Sequence, residues 1–136
     1  MAKVLAASRK ESVARAEILV VEDDEWVLDF IRSALCEAGY GVACAMNGDI
    51  AMLMLEQGLP FQVLITDIAM PGLLDGYALA RKARVFRPDI QIIYTTGFAD
   101  AAAVRSSGAP NEATLVKPWL PAALLDAIQS IHRVPA

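Results

Sequence analysis

Short apolar runs and helical stripes alternate along most of this sequence. EILVV, residues 17–21, is a β-branched run that predicts a strand. EWVLDFIRSALCEAG follows, with apolar residues at Val27, Ile31, Ala34, Leu35 and Ala38; this helical stripe stops at Gly39. GVACA predicts a second strand, and Asn47 reads as the N-cap of a helix through Leu55 and Glu56. VLIT predicts a third strand, GYALARKARVF a third helix and IQIIYT a fourth strand. A short helix over Ala101–Ser106, ending near Gly108, is expected before ATLV, the fifth strand. PAALLDAIQSIHR predicts the last helix, with Pro121 in its first turn and Leu124, Ile128 and Ile131 on one stripe. Five βα units in alternation predict an α/β domain, a five-stranded parallel sheet with helices on both faces. Residues 1–16, rich in Ala, Ser, Lys and Arg with weak periodicity, read as a mobile N-terminal tail, and residues 17–134 as the domain.

Composition narrows the classes of function. A hydrophobic fraction of 56% in 136 residues is ample for one filled core and argues against disorder. No uncharged stretch reaches the roughly 18 residues a membrane helix needs. Lys3, Arg9, Lys10, Glu11 and Arg15 interrupt the N-terminus where a signal peptide would be apolar, so a cytoplasmic protein without membrane attachment is expected. The net charge is −4, and the first 17 residues hold four basic and two acidic side chains, which leaves −6 on the remainder. That balance argues against nucleic-acid binding, which calls for a basic patch. Cys36 and Cys44 are too few for a disulfide framework or zinc site and read as ordinary buried thiols. His132, the single histidine, reads as a solvated residue at the end of the last helix.

In an open parallel sheet, ligands gather beyond the carboxyl ends of the strands. Glu22, Asp23, Asp24 and Glu25 follow the first strand, Asp67 the third, Thr95-Thr96-Gly97 the fourth and Lys117-Pro118 the fifth. Taken singly, these are a helix cap, a turn residue, a turn and another turn. One topology nevertheless places all four groups at one edge. Carboxylates that close repel unless a cation neutralises them. Hard oxygen ligands suit Mg²⁺, which keeps waters and phosphate oxygens among its ligands. A lysine and a hydroxyl opposite would hold the other oxygens of a phosphoryl group. A carboxylate can itself accept that group, and Asp67 is the candidate nucleophile.

Val20-Val21-Glu22-Asp23, Thr66-Asp67-Ile68-Ala69-Met70-Pro71-Gly72, Thr95-Thr96-Gly97 and Lys117-Pro118-Trp119 together resemble the receiver domain of two-component response regulators, over roughly Glu17 to His132. The resemblance implies the flavodoxin-like strand order 2-1-3-4-5. It implies Asp67 as phosphoacceptor, and Glu22 and Asp23 as the acidic pair that binds Mg²⁺ with Asp67 and the Ala69 carbonyl. It implies Lys117 as the lysine that meets the phosphoryl group, a cis bond to Pro118, and Thr96 as the switch hydroxyl. Thr95 is the rival, because TTG leaves the register open by one; Thr96 is preferred as lying just past the last buried residue of its strand. A sensor histidine kinase or histidine phosphotransfer protein would be the donor. Output would be by protein contact with an unknown target, on the face made by the helix over 101–106, the fifth strand and the last helix. The chain would act as a stand-alone monomer or weak dimer and would not be an enzyme.

Three departures accompany the resemblance. PGLLDGYAL holds one residue more than the usual loop, at Leu73 or Leu74. Thr114 stands where many receivers carry the aromatic of a rotamer switch. Phe98, two residues after Thr96, occupies a position that tunes phosphate lifetime, and its ring is expected to slow loss of the phosphoryl group. Two rivals remain: a receiver-like binding module that is never phosphorylated, and a phosphohydrolase of the haloacid-dehalogenase type. In the latter the nucleophile comes on the first strand with a second Asp two residues on; here that place holds Ala69.

Overall fold

The computed structural model describes residues 17–69, 74–97, 111–117 and 119–132. The expected tail over 1–16, the helix over 101–106, Phe98 and Pro118 lie outside these residues, as do the side chains of Ile131 and His132. The elements are β1 (Ile18–Val21), α1 (Glu25–Glu37), β2 (Val42–Ala45), α2 (Gly48–Glu56), β3 (Val63–Asp67), α3 (Gly76–Phe86), β4 (Gln91–Thr96), β5 (Glu112–Val116) and α4 (Pro121–His132). All strand pairs are parallel, and the sheet order is β2-β1-β3-β4-β5.

Alternation along each strand sorts the core into two layers. Leu19, Val21, Leu64, Ile92 and Tyr94 face α2 and α3, where Leu55, Leu79 and Ala83 meet them. Ile18, Val20, Val63, Ile65 and Ile93 face α1 and α4, against Ile31, Leu35, Leu124 and Ile128. The three inner strands read as continuous apolar runs because both of their faces are covered.

Helix starts follow local capping chemistry. The Asp24 carboxylate accepts from the Trp26 and Val27 amides, the Asn47 side chain from Ile50 and the Asp75 carboxylate from Ala78. α1 gives way at Gly39, whose φ of +94° disfavours any side chain.

Two expectations need correction. The buried stripe of α1 is Leu28, Ile31 and Leu35; Val27 and Ala34 only flank it and Ala38 is exposed. Leu28 belongs to the buried cluster with Ile18, Val20 and Val42, and Val27 packs at its margin. Cys36 is exposed rather than buried, since it follows Leu35 on the far side of that stripe. Cys44, partly buried on β2, fits the expectation more closely, and burial pushes its thiol up to about 11. Among the described residues no helix is long and apolar enough to cross a membrane.

Candidate functional site

Four strands deliver the site by ending at the same level. Asp67 pairs in register with Thr95, and Thr96 pairs with Val116, the residue before Lys117. β1 ends at Val21, paired with Thr66, so Glu22 and Asp23 emerge beside Asp67. The ladder continues beyond the strands: the Ile68 amide donates to the Thr95 carbonyl at 3.0 Å, and the Lys117 amide to the Thr96 carbonyl at 2.7 Å. The backbone therefore fixes the relative height of the acidic and basic groups before any side chain is placed.

Lys117 is the centre of the side-chain arrangement. Its Nζ donates to Glu22 Oε1 at 2.8 Å and to Asp67 Oδ2 at 3.0 Å. The other oxygens have backbone partners: Glu22 Oε2 accepts from the Asp24 amide at 3.0 Å and Asp67 Oδ1 from the Ala69 amide at 3.1 Å. Both carboxylates are thus aimed by two bonds each. Glu22 is 1% exposed and Asp67 9%, whereas Asp23 is exposed.

Burial raises the Glu22 carboxyl above its ordinary range, and the Lys117 bonds only partly offset this. Burial also works to lower the Lys117 ammonium, but the bonds and charges of Glu22 and Asp67 outweigh it, and the net shift is upward. Lys117 thus serves two carboxylates at once, Glu22 and Asp67.

One carboxylate oxygen each from Glu22, Asp23 and Asp67 lies within 4.8 Å of the other two. Such a set of hard oxygen donors, short of counter-charge, fits a small divalent cation such as Mg²⁺. Ala69 lies next to this cluster, its backbone N–H donating to Asp67 Oδ1.

Every candidate residue whose placement is described thus falls at the carboxyl edge of the sheet. The two threonines are not separated by burial: Thr95 and Thr96 are each 1% exposed. The expectation that Thr96 lies past the last buried residue of its strand is therefore corrected. Thr96 is the last residue of β4, which runs one residue beyond IQIIYT and keeps Thr96 inside the ladder, paired with Val116 of β5. Thr114 is exposed on the edge strand. Tyr94 packs, as expected, with its ring 4.9 Å from that of Tyr77, and burial pushes its hydroxyl up to about 12. Trp119 packs against Phe30, 6.1 Å between ring centroids, while Trp26 at the start of α1 is 86% exposed.

Sequence reasoning passed over one positioning residue. A Cβ on Gly76 would lie 2.3 Å from the Asp67 carbonyl oxygen and 2.8 Å from Ile68 Cα, so the chain re-enters against the backbone of Asp67 itself. The Gly76 amide donates to the Ile68 carbonyl at 2.9 Å. The signal was available in a glycine opening a helix, where propensity disfavours it.

Comparison with known proteins agrees with this geometry. The family model for the response regulator receiver domain matches residues 18–129. The chain is 41% identical over 118 residues to the response regulator receiver protein CpdR of Brucella abortus (strain 2308), covering 86% of this chain and 94% of that protein. It is 35% identical over 92 residues to the sensor kinase CckA of the same organism, a match spanning 67% of this chain and 10% of the kinase. A solved response regulator receiver protein from Sinorhizobium medicae WSM419 is similar with a TM-score of 0.78 and 33% identity, over 87% of this chain and 95% of that one.

Proposed function

This chain belongs to the response regulator receiver family, and from that premise we propose that it accepts a phosphoryl group on Asp67 in a Mg²⁺-dependent step. The observation that carries the reading is Lys117 Nζ held between Glu22 Oε1 and Asp67 Oδ2, with the Asp23 carboxylate alongside. Lysine and acidic cluster converge on one carboxylate that is itself aimed by a backbone amide. An Asp67 carboxylate oxygen attacks the donor's phosphorus; the new O–P bond forms as the bond to the donor's leaving atom breaks, giving an acyl phosphate. Glu22, Asp23, Asp67 and the Ala69 carbonyl are the residues that would hold Mg²⁺, which when bound neutralises charge on the phosphoryl oxygens. Lys117 exchanges its bond to Asp67 for one to the transferred group, and Thr96, with Thr95 as its rival, supplies the hydroxyl.

The donor would be a sensor histidine kinase or a histidine phosphotransfer protein, and the protein would pass the signal on by protein contact, without turning over a substrate of its own. The order of the motifs stands against a phosphohydrolase of the haloacid-dehalogenase type. The test is incubation with Mg²⁺ and acetyl phosphate followed by intact mass. One added phosphoryl group is expected, dependent on Mg²⁺ and absent in Asp67→Asn. A protein that stays unlabelled with acetyl phosphate and does not bind beryllofluoride is a phosphate-independent module instead.

A further inference from the structure

The chain leaves the acceptor at Ile68–Ala69 and returns to it at Leu74–Gly76. The returning limb touches two glycines' worth of space. At one end Gly76 presses on the Asp67 carbonyl with no room for a methyl group. At the other end Leu74 presses on Gly48, the buried first residue of α2: a Cβ there would lie 2.8 Å from Leu74 Cβ, 3.1 Å from its carbonyl oxygen and 3.6 Å from Cδ1. Nothing in the phosphoryl-transfer chemistry uses Gly48 or Leu74, yet the two contacts are joined through only Asp75. Asp75 is itself fixed as the cap of α3 through the Ala78 amide at 2.8 Å.

We propose that Gly48 and Leu74 form a steric clasp that positions Asp67, making Gly48 a positioning residue for phosphoryl acceptance although it sits on a different βα unit. α2 serves as the wall against which the returning limb is seated. The limb in turn backs the acceptor's peptide from behind. The carboxylate's bond to the Ala69 amide then holds its geometry only while that peptide stays put. A residue larger than glycine at position 48 displaces Leu74 by about half an ångström to regain ordinary contact distance. The limb transmits this displacement because Gly76 has no clearance against Asp67. Misplacement of a reacting group by about 1 Å can cost roughly a hundredfold in rate, so a half-ångström shift corresponds to about tenfold. The inference rests on the reading of Asp67 as phosphoryl acceptor.

The test is a rescue experiment. Gly48→Ala, Leu74→Gly and the double variant are compared with wild type for the rate of labelling by acetyl phosphate, with thermal melting as a check of folding. Leu74→Gly removes the Cβ that a residue-48 methyl would strike. The expected result is about tenfold slower labelling in Gly48→Ala and recovery in the double variant to the rate of Leu74→Gly alone. Labelling of Gly48→Ala at the wild-type rate, or a slow variant that Leu74→Gly does not rescue, would overturn the clasp. If Gly48→Ala does not fold, Leu74→Gly alone decides: a limb no longer seated is expected to label several-fold more slowly, and an unchanged rate refutes the proposal. A second readout needs no phosphorylation. Hydrogen exchange of the Ala69 amide should speed up in Gly48→Ala and return in the double variant, and its failure to change counts against the clasp. Failure of wild type to label would instead count against the functional reading, with the clasp still judged by exchange.

Discussion

Replacing Gly76 by alanine sets two effects against each other. Alanine is the better helix former, and Gly→Ala at an unstrained position stabilises by about 0.4–1 kcal/mol. Gly76 opens α3, so propensity alone predicts a gain. The structure predicts the reverse. The added methyl would lie 2.3 Å from the Asp67 oxygen, 3.0 Å from the Asp67 carbonyl carbon and 2.8 Å from Ile68 Cα. All three are backbone atoms, and none can swing aside. The start of α3 must retreat by about 1 Å, which lengthens the 2.9 Å Gly76–Ile68 hydrogen bond beyond use. Overpacking of this kind costs about 1–3 kcal/mol and the lost bond about 1 kcal/mol. Set against the propensity gain, the net loss is about 1–3 kcal/mol, or roughly 4–12 °C in melting temperature for a domain of this size. Thermal denaturation followed by circular dichroism reads it directly, with Asp75→Ala as a control that weakens the cap without adding bulk. A Gly76→Ala protein as stable as wild type would show that the return limb is free to move and would refute the close seating of α3 on the end of β3.

Other consequences are open to simpler measurement. Lys117→Met leaves the buried Glu22 carboxylate without its cation; urea unfolding at pH 7 should show a loss of about 2–4 kcal/mol, less than for a fully buried pair because Lys117 is partly exposed. At pH 7.5 a disulfide reagent should modify exposed Cys36 and leave Cys44 largely untouched, since a thiol held near 11 offers little thiolate; intact mass should show one fast adduct. Because burial raises the folded Cys44 thiol above its ordinary value, to about 11, its contribution to stability is complete below about pH 9 and fades as pH rises toward 11. Wild type should therefore lose about 2 kcal/mol more over that interval than Cys44→Ala, and parallel curves would contradict the burial of this thiol.

The order of strands and helices was legible because each apolar run is short, β-branched and bounded by capping residues such as Asp24, Asn47 and Asp75. The site was legible because its chemistry lies directly after strands: Glu22, Asp67 and Lys117 need only the topology to meet. What the sequence concealed is tertiary. Which of Val27 and Leu28 is buried depends on how α1 packs on the sheet, and Cys36 lies on the exposed side of that packing. Thr95 and Thr96 differ by one register step, and both are buried because β4 continues through Thr96 with β5 paired beside it. Gly76 and Gly48 carry no side chain to betray a function, and only the three-dimensional approach of Asp67 and Leu74 shows what their smallness is for.

The pairing of Glu22 with Lys117 joins residues 95 positions apart, and that of Asp67 with Lys117 spans 50. Contacts of such long range form only after much chain entropy has been given up, which makes them late events in folding. During synthesis Glu22 leaves the ribosome long before its counter-ion has been made. A folding intermediate that docks β1 onto β3 without β5 must keep Glu22 in water or hold it protonated. The charged centre is thus a lock that closes only when the last strand is in register.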